Sequence, residues 1–134
     1  MSEMEVNYLG HKRCELTHKS SGTKIITDAP TDNFGKGESF SPTDLMSASL
    51  GACMLTIMGI QLEPLNILIQ GSSCKIKKQM STNPRRVNQI DVYLKMSSLI
   101  KLEDRPKVEE IARTCPVQMS INPEIKINLQ IEYI

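Results

Sequence analysis

The sequence predicts an α+β fold built on antiparallel sheet. Three observations carry that prediction. Short strand-like segments cluster ahead of a long uncharged helix, two strands joined by a hairpin follow it, and a second helix precedes one last alternating strand. The length of 134 residues fits a single domain, residues 1–134, large enough to bury a core without a disulfide staple or structural metal.

Taken in order, Glu5 to Leu9 and Arg13 to Thr17 read as strands with Gly10 near their turn. Ser20-Ser21-Gly22 signals a second turn, and Thr23 to Thr27 a third strand, completing a meander. Asp28 to Phe40, with Pro30, Asn33, Gly35 and Gly37, is a loop. Ser41-Pro42-Thr43-Asp44 is a helix start: Ser41 can cap, Pro42 suits the first turn, and the Asp44 carboxylate favours the positive end of the helix. The helix is apolar around most of its circumference, which predicts burial on several sides, and Pro64 stops it near Gln61. Asn66 to Gln79 and Asn88 to Ser97 read as strands joined through Ser81-Thr82-Asn83-Pro84. Arg105 to Thr114 is a helix with Asp104 as its cap and Val108, Ile111 and Ala112 on one stripe. A short turn or helix begins at Cys115, and Ile125 to Ile131 alternates as a final strand.

Composition narrows the partners. Sixteen basic residues nearly cancel fifteen acidic ones, and a net charge of +1 gives no general attraction to nucleic acid or anionic membrane. The basic cluster Lys75, Lys77, Lys78, Arg85 and Arg86 reads as the wet face of a strand. Leu45 to Leu62 carries no charge and reaches the lower edge of a membrane span, but its serines, threonine and glycines suit a buried helix better than lipid. The acidic N-terminus has no long apolar run, so no signal peptide is expected and the four cysteines are expected to be reduced thiols in the cytoplasm. With no CxxC pair and only two histidines, neither a zinc site nor any other cofactor is expected. Glycine-rich phosphate loops, G-x-S-x-G and HExxH are all missing.

What remains is thiol chemistry. Cys53 lies midway along the long helix, where it reads either as a small core hydrophobe or as a reactive thiol. Cys115 directly precedes Pro116. If Pro116 opens a short helix, Cys115 sits at its N-terminus, where backbone N–H groups would stabilise a thiolate and lower its pKa. The same Cys-Pro can also be simple punctuation at a helix break. Cys14 and Cys74 alternate with charged neighbours in strands and read as half-buried structural residues.

Two segments together resemble one family. FSPTDLMSASLGACMLTIM, Phe40 to Met58, is similar to the first-cysteine helix of OsmC/Ohr-like proteins, and ARTCPVQMSINPEI, Ala112 to Ile125, to their second-cysteine segment. The 62-residue separation and the two intervening strands also fit. The resemblance implies an interleaved homodimer around paired long helices. It also implies reduction of organic hydroperoxides or hydrogen peroxide without a cofactor. In such members the first cysteine attacks the peroxide and the second resolves the sulfenic acid as a disulfide. A dithiol, lipoyl-protein in some members, restores both thiols. By position Cys53 attacks and Cys115 resolves.

The resemblance also implies an arginine from the N-terminal strands that holds the thiolate. Arg13 fits, being the only arginine before residue 85. Better-known peroxidase members orient that arginine with a glutamate ten residues before the first cysteine. Here that position is Thr43, and neighbouring Asp44 lies about 180° around the helix from Cys53. Glu38, in the preceding loop, is the alternative source of a carboxylate. Two functional readings follow: a thiol peroxidase using the Cys53–Cys115 pair, or a redox or small-molecule-binding protein of the same fold without efficient turnover.

Overall fold

The computed structural model describes residues 1–134, which form two compact units, residues 1–46 and 47–134. Both are α+β or β in character, as the alternation of segments predicts. The first unit is an antiparallel meander of β1 (Met4–Gly10), β2 (Arg13–His18) and β3 (Lys24–Asp28). Gly10, His11 and Lys12 all take positive φ, which lets the chain reverse tightly between β1 and β2. Period-2 alternation puts Met4, Val6 and Tyr8 on one face, and that face is open: the three are 64%, 60% and 65% exposed.

Helix α1 spans Pro42–Leu62. Its start is a reciprocal capping box. Ser41 Oγ accepts the Asp44 N–H at 3.0 Å, and Asp44 Oδ2 accepts the Ser41 N–H at 3.0 Å. The helix stops where Leu62 leads into a 3₁₀ turn at Glu63–Leu65, which contains Pro64. Ser47, Leu50, Gly51, Met54, Met58 and Leu62 form its buried stripe. Gly51 lets the helix pass close to the second unit's sheet: a Cβ there would sit 2.8 Å from Cys74 Sγ. Burial on several sides is not met within one chain. Ala52, Thr56 and Ile60, on the other side, are exposed, because the elements of one chain cover only one stripe of the helix.

The second unit carries β4 (Ser73–Ser81), β5 (Arg86–Met96), α2 (Arg105–Ala112), α3 (Pro116–Ser120) and β6 (Lys126–Tyr133). Its sheet order is β4-β5-β6. Ile90, Val92, Leu94 and Met96 of β5 are essentially inaccessible and, with Val108 and Ala112 of α2, belong to the buried apolar set. Lys75 and Lys77 face solvent as expected, with Lys77 over the Tyr93 ring and Arg86 paired to Glu124 at 2.8 Å.

Three local expectations are corrected. The sheet is mixed, because β6 runs parallel to β5. The connection between them contains both short helices, long enough to cross over and return in the same direction. Residues 66–72 are not strand: Asn66 and Gly71 adopt left-handed backbone, φ +60° and +85°, which interrupts extension. Asp104 precedes α2 but makes no side-chain cap, since its own backbone is already helical rather than extended.

Candidate active site

Within the second unit, α1 and the α2–α3 junction bring two of the expected residues together. Cys53 is half-buried on α1. Cys115 is wholly buried and caps α3, with extended backbone at φ −69° and ψ 149°. Pro116 supplies the first helical residue, as its fixed φ favours. Cys115 Sγ accepts the Gln118 backbone N–H at 3.4 Å, and its thiol neighbours that of Cys53.

The expected lowering of the Cys115 pKa is not what this arrangement produces. Burial pushes its thiol up from the ordinary value, and the neighbouring Cys53 sulfur pushes the same way. The N–H groups of Gln118 and Val117 oppose this without overcoming it. A five-residue helix offers few aligned peptides, while complete enclosure removes the water that would solvate a thiolate. Cys115 is therefore held as a protonated donor beside the more accessible Cys53 sulfur.

Cys74 faces Gly51 of α1, and burial raises its pKa. Cys14 is half-buried on β2. Both thiols are half-buried, as expected.

Arg13 is placed by the first unit. It opens β2, and the β2–β3 register sets it opposite Asp28 at the end of β3. Its Nη2 donates to Glu38 Oε2 at 2.5 Å and reaches Asp28 Oδ2 at 3.5 Å. The guanidinium thus has two carboxylates, Glu38 from the loop and Asp28 from β3. Thr43 and Asp44 meet Ser41 in the capping arrangement instead, with Thr43 Oγ1 3.2 Å from Ser41 Oγ. Asp28 is the residue that sequence reading passed over. Its signal was available: a hairpin that pairs Thr17 with Lys24 necessarily pairs residue 13 with residue 28.

Comparison with known proteins identifies the family. The family model for OsmC-like proteins matches residues 35–130. A crystal structure from Psychrobacter arcticus 273-4, described as an osmotic stress induced and detoxification response protein, is 40% identical with a TM-score of 0.93. That match covers 98% of this chain and 96% of the other. An OsmC-like protein from Mycoplasma pneumoniae has a TM-score of 0.82 at 15% identity, covering 100% of this chain and 97% of the other. The organic hydroperoxide resistance protein OsmC of Legionella pneumophila has a TM-score of 0.78 at 15% identity, covering 98% and 96%. These two low-identity likenesses concern the fold alone. No curated protein matches the sequence. A family match over most of the chain, a 40%-identical relative and the two motif cysteines agree: the chain belongs to the OsmC-like protein family.

Proposed function

We propose that this chain is a cysteine-based thiol peroxidase acting on organic hydroperoxides or hydrogen peroxide. The observation that carries the reading is the Cys115 thiol enclosed beside the more accessible Cys53. In the first step the Cys53 thiolate attacks a peroxide oxygen. The O–O bond breaks, the alcohol or water leaves with a proton, and Cys53 becomes a sulfenic acid. In the second step the Cys115 sulfur attacks the Cys53 sulfur. The sulfenic oxygen leaves as water, taking the Cys115 proton, and an S–S bond forms. A dithiol, such as a lipoyl-protein, then reduces the disulfide and is itself oxidised. No bound cofactor enters any step.

The two thiols divide the work by environment. Cys53 is accessible enough to meet substrate, whereas Cys115 is enclosed and stays protonated until a sulfenic acid is beside it. Arg13, paired with Glu38 and Asp28, is the cation that would stabilise the attacking thiolate and polarise the peroxide. Both units act as one OsmC-like domain in this reading, and two copies interleave to cover the open faces of β1 and α1. The setting is the cytoplasm, where thiols stay reduced. Names of structural relatives point the same way, since the Legionella and Elizabethkingia anophelis proteins are described as organic hydroperoxide resistance proteins.

The second reading, a binding or reserve-thiol protein of the same fold, draws on Thr43 standing where better-known members carry glutamate. Hydroperoxide consumption with a dithiol reductant, for wild type and Cys53→Ser, separates the two. Catalytic consumption lost in Cys53→Ser supports the peroxidase. Stoichiometric oxidation without recycling supports the reserve thiol.

A further inference from the structure

Asp28 is a carboxylate with almost no access to water, being 1% exposed at the end of β3. One oxygen, Oδ2, accepts the Glu38 backbone N–H at 3.0 Å and faces Arg13 Nη2 at 3.5 Å. The other, Oδ1, is equally buried and has no hydrogen-bond partner. Glu38 reaches the same Nη2 with its side chain, but it is 58% exposed. One guanidinium nitrogen is therefore shared between an outer, solvated carboxylate and an inner, dry one.

These contacts also close the loop between β3 and α1. Asp28 N–H donates to Phe40 O at 3.0 Å, Gly37 N–H to Ala29 O at 3.2 Å, and Ser39 Oγ to Ile26 O at 2.7 Å. Gly35 fits so tightly that a Cβ would lie 1.7 Å from Ala29 O, so only glycine is accommodated. Asp28 stands at the base of this braced loop. Glu38 stands at its far end, joined to Asp28 through its own N–H.

We propose that Asp28 is the positioning residue for Arg13. It anchors the guanidinium to the end of β3 and ties it to the loop through Glu38, and its unfilled Oδ1 is the acceptor for a second guanidinium N–H. Glu38 is then the exchangeable outer contact and Asp28 the fixed one. The physical ground is that a pair with its carboxylate out of water is screened less than one with both partners at the surface, and a buried carboxylate with an empty oxygen favours a further donor. The proposal rests on the reading that Arg13 serves the thiol pair.

The test measures single-turnover oxidation of Cys53 by cumene hydroperoxide in the full chain, for wild type, Arg13→Ala, Asp28→Asn and the double variant. Asp28→Asn is expected to slow oxidation by about tenfold or more, the scale of a misplaced reacting group. In the Arg13→Ala background it should slow nothing further, because a residue acting only through Arg13 has nothing left to position. Wild-type rates in Asp28→Asn alongside slow Arg13→Ala would overturn the proposal while sparing the reading of Arg13. So would a full additional loss in the double variant, which marks a structural role. Wild-type rates in Arg13→Ala would sink that reading and the proposal together. Side-chain NMR of Arg13 in Glu38→Gln decides the matter without requiring Asp28→Asn to fold. Guanidinium N–H signals that stay protected support Asp28 as the holder. Their loss assigns the arginine to Glu38 and overturns the proposal.

Discussion

The buried Cys115 thiol neighbours Cys53, from a position that caps a five-residue helix. The two residues are 62 apart in sequence and arrive on different helices. Oxidation should therefore link this pair. Peptide mapping after hydroperoxide treatment, under non-reducing conditions, is expected to recover Cys53 joined to Cys115 with Cys14 and Cys74 as thiols. A cross-link through Cys14 or Cys74, or four unmodified thiols, would contradict the pairing.

Enclosure of Cys115 has a consequence for stability against pH. Its folded-state pKa is raised above the ordinary 9.0, so the unfolded chain ionises this thiol first. The folded state binds the extra proton, and stability falls as pH climbs from the ordinary thiol range through the raised value. Below that range the contribution is fully present. Denaturation of reduced wild type and Cys115→Ala across alkaline pH should show a shallower decline in the variant. Identical slopes would mean that Cys115 ionises as readily folded as unfolded.

The contact between Arg13 and Glu38 predicts how reactivity responds to a carboxylate removed from the loop or added on the helix. Exposed ion pairs contribute roughly 0–1 kcal/mol, so Glu38→Gln should slow Cys53 oxidation by no more than about fivefold. Thr43→Glu should accelerate it little, since the guanidinium already has carboxylates. Complete loss of reactivity in Glu38→Gln would show that Glu38 alone holds Arg13. A large gain in Thr43→Glu would show that the arginine lacked an orienting partner.

Open apolar faces predict assembly. Met4, Val6 and Tyr8 on β1 and Ile60 on α1 are all more than half exposed in one chain. Such surface is a place for another protein, and the proposed interleaved dimer would cover it with a second copy. Sedimentation at low micromolar concentration should give a homodimer, and Ile60→Glu should weaken it. A stable folded monomer of wild type would contradict both the assembly and any site shared between copies.

The reciprocal contact of Ser41 and Asp44 should be worth about 1 kcal/mol. Ser41→Ala is expected to lower the melting temperature by about 4 °C. An unchanged melting temperature would show that neighbouring groups replace the cap.

Much of this fold is written in local pattern. The start of α1 was legible because Ser41, Pro42 and Asp44 each satisfy one end-group requirement within four residues. The inward face of β5 was legible because Ile90, Val92 and Leu94 alternate with polar neighbours. What escaped was set by distant structure. The parallel direction of β6 depends on the crossover path through α2 and α3, not on its own alternation. The raised pKa of Cys115 depends on enclosure, which a Cys-Pro dipeptide does not reveal. Asp28 looked like the first residue of a loop, and only the β2–β3 register makes it the partner of Arg13.

A single turnover followed by intact mass decides whether this thiol pair is a peroxidase. Reduced protein receives one equivalent of cumene hydroperoxide, and alcohol release is measured in parallel. A working pair gives one alcohol per chain, loss of two hydrogens in wild type, and a gain of one oxygen at Cys53 in Cys115→Ser. Wild type that consumes no hydroperoxide, or Cys53→Ser that consumes it as fast as wild type, would contradict a peroxidase built on Cys53 and Cys115.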